Sequence, residues 1–378
     1  MSVTVSISGD FCITPSYLAA NLFSNNVSEL FQQSHLNIVN LECPVNKDGE
    51  QHKILKYGPH LQTNEDIFKH LKQLKIGAVT LANNHILDYG VQGLQATIDA
   101  CRKNGIVFTG VGSNLVEAGV PKIIEQNGLK IALVNFCENE WSIATGDTAG
   151  ANPLDVIDNL RQIQSARVAA DFVLVIIHGG HEFYNLPSPR MVKQYRFFAE
   201  HGADAVIAHH THCISGMELH KGIPIFYGLG NMIFTKASEY PGWYNGLIVQ
   251  FNLQKGRPVQ WQLIPLKQEK ETYQLQLLEG TEKENLLQEV RNYSAVITTE
   301  EKLQSEWNAF VNKRKAQYLY VFSAMNVIPG RYLKGLLKRL GFIKILFPQK
   351  YITGIVNYIN CEAHLDVSKA ALNKQLKK

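Results

Sequence analysis

The chain has 378 residues, 45% of them hydrophobic and 19% charged, with a formal net charge of +4. That length carries one large domain with an extension, or two domains, and that composition excludes a disordered or fibrous chain. The small net charge gives no global field toward nucleic acid. Six cysteines spread from Cys12 to Cys361 without a Cys-x-x-Cys pair exclude a disulfide scaffold and read as reduced thiols.

The alternation Val3-Thr4-Val5-Ser6-Ile7 opens the chain as a strand, without the basic and apolar regions of a signal peptide. No later run reaches membrane-spanning length. The expectation is a cytoplasmic protein, at most peripheral to a membrane. Short apolar runs at 36–41, 78–81, 130–136, 172–177, 205–208, 223–227 and 247–253 continue the strands, and amphipathic stretches at 64–74, 91–104, 154–169 and 189–201 predict helices between them. The last of these starts Ser188-Pro189, a cap followed by proline at the first helical position, and stops before Gly202. Strands alternating with helices define an α/β fold.

Near Pro265 the texture changes to Lys/Glu/Gln-rich helical sequence, over 279–290 and 299–325, which divides the chain into a domain at 1–265 and a helical, basic extension at 266–378. Arg331, Lys334, Lys338 and Arg339 stand beside Leu333, Leu336, Leu337 and Leu340. Such a helix either docks on an anionic membrane surface or acidic partner, or buries its leucines against the rest of the chain.

Several strands run directly into metal-binding residue types, and carboxyl ends of strands are where ligands collect in α/β sheets. The first reaches Gly9-Asp10, the second Asn40-Leu41-Glu42, the third Asn83-Asn84-His85, and later ones His178 and His209-His210-Thr211-His212. Taken singly, Asp10 also suits a turn or a cap, Glu42 a surface group, and paired asparagines a turn. His210 and His212 are spaced so that extended backbone would present both on one side, with His209 turned away as a packing or supporting residue. Neutral imidazole suits Zn, Mn or Fe. Glu182 closes the segment His178-Gly179-Gly180-His181-Glu182 and is a candidate catalytic residue.

In order, Ser8-Gly9-Asp10, Asn40-Leu41-Glu42-Cys43-Pro44, the run from Ala82-Asn83-Asn84-His85 to Asp88-Tyr89-Gly90, the His178–Glu182 segment and the block from Gly202 to Phe234 resemble the CapA family of capsule or poly-γ-glutamate synthesis proteins. That family belongs to the calcineurin-like metallophosphoesterases. The resemblance implies an αββα sandwich and one or two divalent transition metals sharing a bridging carboxylate. Asp10 would bind the first metal and Glu42 would bridge; Asn84, His178 and His210 would complete the second, with His212 on the first. His85 would be the general acid, oriented by Asp88. Phosphoesterases commonly carry a histidine where this chain has Cys12, and the family's tryptophan after His178 is Gly179 here.

The implied function is metal-dependent hydrolysis of an anionic phosphoester or an amide-linked polymer connected with capsule or exopolysaccharide production. The alternative is a non-catalytic accessory protein of a polymer synthesis or export complex, since fold and site are inherited more readily than reaction. No nucleic-acid partner is expected.

Overall fold

The structure, a computed structural model, describes residues 2–323 and 349–376. Its strands are β1 (Ser2–Cys12), β2 (Leu36–Leu41), β3 (Ile76–Thr80), β4 (Val107–Thr109), β5 (Val111–Gly112), β6 (Lys122–Gln126), β7 (Leu129–Cys137), β8 (Gly150–Ala151), β9 (Phe172–His178), β10 (Ala205–His209), β11 (Met217–His220), β12 (Ile223–Phe226), β13 (Asn231–Phe234), β14 (Asn245–Gln254), β15 (Gln260–Gln268) and β16 (Leu275–Leu277). One sheet has the order β16-β15-β14-β1-β2-β3-β4, with β13 also on β1, and a second runs β11-β12-β10-β9-β7-β6.

Period-two alternation decides which face each side chain takes. Val3, Val5 and Ile7 of β1 share a core with Ile131 and Leu133 of β7 and with Leu174 and Ile176 of β9, so the sheets pack face to face. The intervening Val173, Val175 and Ile177 turn outward onto Ile163, Met191, Tyr195 and Phe198 of the helices Val156–Ala169 and Pro189–Glu200. On the other outer face Val39 and Val79 meet Phe31, Phe68 and Leu94 from three further helices. The outcome is an αββα sandwich. Ser188 Oγ accepts the Met191 amide at 3.3 Å, and Gly202 just past the helix has φ +122°, as the Ser-Pro and Gly signals require.

Both central sheets are parallel at their middle strands, β1-β2-β3 and β7-β9-β10. Their carboxyl ends therefore open on the same edge of the sandwich. Gly9 lies where β1 approaches β13: a Cβ there would stand 1.8 Å from the Gly230 carbonyl oxygen, so only glycine permits the approach.

The change to helix comes later than Pro265. That residue lies inside β15, β16 follows it on the sheet, and the first helix of this part is Gly280–Ile297. The Lys- and Gln-rich texture there belongs to edge strands with one wet face. Leu286 and Val290 of this helix enter the inter-sheet core, so it is continuous with the sandwich. The helices Glu300–Ser323, Gln349–Asn360 and Glu362–Leu376 bury Trp307, Val311, Tyr358, Val367 and Ala371 together. Arg331, Lys334, Lys338, Arg339 and their neighbouring leucines lie outside the described residues. Among the described residues no helix is long and apolar enough to cross a membrane. All six cysteines are buried and none forms a disulfide.

Candidate metal centre

Asp10, Glu42, Asn84, His178, His210 and His212 lie together at the shared carboxyl edge, all buried. Asp10 ends the straight part of β1, where the pairing to β2 shifts register. Its Oδ1 accepts Asn40 Nδ2 at 2.7 Å and its Oδ2 accepts the His210 amide at 3.1 Å. Glu42 follows β2, and His178 closes β9 beside His209 of β10.

These atoms form two groups that share Glu42. Glu42, His178 and His210 place ligand atoms within 4.8 Å of one another, and so do Asp10, Glu42 and His212. Around the first group, His178 Nε2 is 3.0 Å from Asn84 Oδ1, 3.0 Å from His210 Nδ1 and 3.8 Å from Glu42 Oε1. In the second, His212 Nδ1 is 3.5 Å from Asp10 Oδ2 and His212 Nε2 is 3.7 Å from Glu42 Oε1.

Both carboxylate oxygens of Glu42 are buried with no hydrogen-bond partner. Leaving a buried polar group unsatisfied costs roughly 1–3 kcal/mol, and more for a charged one, and the arrangement fits a cation placed between the imidazoles. Two donor sets of imidazole, carboxylate and carboxamide fit Zn, Mn or Fe. The electrostatics agree with that fit. Burial, followed by the Asp10 charge, pushes the Glu42 carboxyl well up. Burial lowers His178 strongly and brings His210 down to about 3, with His212 adding to the latter. His212 moves the other way, to about 10, because the Glu42 and Asp10 charges overcome burial. Asp10 is held low, burial being outweighed by His212 and its neighbouring imidazoles.

The route by which His210 and His212 reach the site differs from the expected extended strand. β10 ends at His209, and both later histidines have left-handed backbone, φ +88° and +54°. A turn, not alternation, aims them, and such strain in non-glycine residues concentrates at functional sites. His212 Nδ1 also contacts Asn231 Oδ1 at 3.0 Å. His209 is buried with neither ring nitrogen hydrogen-bonded, its Nδ1 4.0 Å from Asp10 Oδ1.

His85 lies beside the centre, Nε2 3.9 Å from Glu42 Oε1 and Nδ1 2.7 Å from Asp88 Oδ2. Lys56 forms a buried ion pair with Asp88 and places Nζ 3.1 Å from His85 Nδ1. Burial and then Lys56 bring His85 down to about 4, against the pull of Asp88. Glu182 is exposed and lines the adjoining pocket, and its charge is felt by Glu42, Glu140 and His212. Cys12 sits in the apolar core, and burial, followed by a hydrogen-bond contact with the Cys43 thiol, raises it well above its ordinary value. A Cβ at Gly179 would stand 2.8 Å from Glu138 Cγ, which ties that glycine to its buried neighbour.

The pocket above the centre, about 320 Å³, is lined by Asn84, His85, Glu140 and His210, by Lys56, Tyr57 and Trp141 from loops, and by Phe310, Arg314, Tyr358 and His364 from the C-terminal helices. Sequence reasoning placed neither Lys56 nor these helices at the site. Glu138 was legible by the strand-end rule, since it directly follows β7, and Glu140 stands just beyond it on the same loop. Nothing local marks Lys56, which arrives on a loop.

Residues 7–236 match the family described as bacterial capsule synthesis protein PGA_cap. The chain belongs to that family. The PGA_cap match spans every strand-end residue of the centre, from Asp10 to His212. The chain is 32% identical over 247 residues to the PGA biosynthesis protein CapA of Bacillus subtilis (strain 168), covering 64% of this chain and 63% of that protein. It is 30% identical over 253 residues to the capsule biosynthesis protein CapA of Bacillus anthracis, covering 64% and 60%. The chain thus spans about three-fifths of the length of these relatives. A solved structure described as a novel phosphatase from Mycoplasma pneumoniae aligns with a TM-score of 0.43 and 15% identity over 72% of this chain and 96% of that one.

Proposed function

We propose that this PGA_cap chain is a metal-dependent hydrolase that cleaves an anionic phosphoester or an amide-linked polymer in capsule or poly-γ-glutamate production. The observation that carries the reading is Glu42, a buried carboxylate without a hydrogen-bond partner between two groups of imidazole ligands. Asp10, Glu42 and His212 would hold one divalent metal, and Glu42, Asn84, His178 and His210 a second. Such metals supply Lewis acidity toward water and toward an anionic oxygen.

The chain's own residues do the rest. Asn40 and the His210 amide fix the two oxygens of Asp10. Asp88 orients His85 through Nδ1, so Nε2 is the atom that delivers a proton to a leaving group. Lys56 and Arg314 give the pocket cationic walls suited to an anionic substrate.

The test is metal analysis of the purified chain, then an activity screen with each metal on phosphoesters and on γ-linked glutamate polymer. The expected result is hydrolysis of one class that needs metal and disappears in Glu42→Gln. A fully metal-loaded chain inactive on both classes would sink the hydrolase reading and leave the accessory role.

A further inference from the structure

Beside this centre stands a third group of metal-ligating side chains. Glu140, Cys361 and His364 place a carboxylate oxygen, a thiol sulfur and an imidazole nitrogen within 4.8 Å of one another. Cys361 occupies the break between the helices Gln349–Asn360 and Glu362–Leu376, and His364 lies in the first turn of the latter. Three residues apart at a helix start, the two project to one side. Glu140 comes from the opposite direction, on the loop after β7.

This meeting is fixed from both sides. Glu362, next to Cys361, accepts the Asn139 amide at 3.1 Å and also bonds the Asn139 side chain, which holds the loop carrying Glu140 in register with the helix break. The Cys361 amide donates to the Asn357 carbonyl at 3.0 Å. His364 stacks on Tyr358 with centroids 4.8 Å apart. Cys361 is fully buried and the Glu140 side chain only 8% exposed.

We propose that Glu140, Cys361 and His364 form an additional zinc site that ties the C-terminal helices to the catalytic edge of the sandwich. One sulfur, one nitrogen and one oxygen donor is a zinc set, and the thiolate selects against magnesium, calcium and manganese. Three protein ligands leave one tetrahedral position. Glu140 and His364 both line the pocket above the main centre. Glu140 Oε1 is 3.7 Å from His210 Nε2, which sets the zinc beside the main centre. None of the three ligands belongs to the Glu42-centred groups, so the two readings fail separately.

Cobalt(II) substitution of the full chain tests the site, because the Glu42-centred groups contain no sulfur. The wild-type protein should show a thiolate-to-cobalt charge-transfer band in the near ultraviolet. Cys361→Ser should lose that band and one metal equivalent, His364→Ala should lose most of its intensity, and Glu42→Gln should keep it. No sulfur band in the wild type, which needs no variant to fold, overturns the proposal. So does a band of unchanged intensity in Cys361→Ser, which would move the thiolate to another cysteine.

Discussion

His85 faces Glu42 across 3.9 Å with Nε2, while Asp88 holds its other nitrogen at 2.7 Å. One ring atom is thus tethered and the other turned to the site, as the proposed proton-delivering role of His85 requires.

Replacing His85 by Ala should slow turnover on substrates with poor leaving groups by roughly 10²–10⁴-fold. Activated esters should lose far less, and metal content should stay at the wild-type level. Steady-state rates on a leaving-group series decide the point; an equal loss on all substrates would make His85 structural.

Lys56→Met should move the alkaline limb of the rate profile to higher pH. Burial and Lys56 both lower His85, to about 4, and Asp88 opposes them. A general acid works protonated, so the rate falls as pH rises through its pKa. Removing the cation raises that pKa and extends the active range upward, which a pH profile of kcat/KM reads directly. A limb that stays in place would show that Lys56 does not act on His85.

Glu42→Gln should remove bound metal with little change in side-chain size, measured by elemental analysis. In the wild type, metal uptake should release protons, because the metal-free site keeps His212 raised to about 10 and Glu42 raised by burial. Metal affinity therefore climbs with pH and falls in acid. Calorimetric titration in buffers of different ionisation enthalpy gives the proton count, and zero release would contradict this charge state.

His181 Nε2 bonds the Ala363 carbonyl at 2.9 Å, and its ring packs on Trp307 and Phe310. Burial, and then Arg190, brings its pKa down to about 3. A histidine depressed in the folded state contributes stability that is complete above the unfolded value near 6.5 and is lost as pH falls toward the folded value. Each pH unit in that window is worth up to about 1.4 kcal/mol. His181→Phe should flatten the decline of stability between pH 6.5 and 3, as measured by urea melts; parallel curves for both proteins would exclude His181 as a source.

Removing residues 324–378 should uncover Trp307 and Val311, which pack with Tyr358, Val367 and Ala371, and strip the wall that carries His364. The expected outcome is a lower melting temperature and a higher KM with metal at the Glu42-centred groups retained. An unchanged KM would place the substrate away from that wall.

By itself the amino-acid sequence determined the α/β alternation, the helix from Ser188-Pro189 to Gly202, and the candidate ligands, because period-two strands and polar groups at their ends are local signals. Family resemblance then ordered those ligands into a site. Tertiary structure alone decided how His210 and His212 are aimed, since the left-handed backbone there goes with contacts from the His210 amide to Asp10 and from the His212 ring to Asn231, both distant in sequence. It alone brought Lys56 to His85, across a loop with no periodicity to read. The same holds for Cys361 and His364, more than 200 residues from Glu140: their meeting comes from helix packing over a long chain separation, which no local pattern encodes.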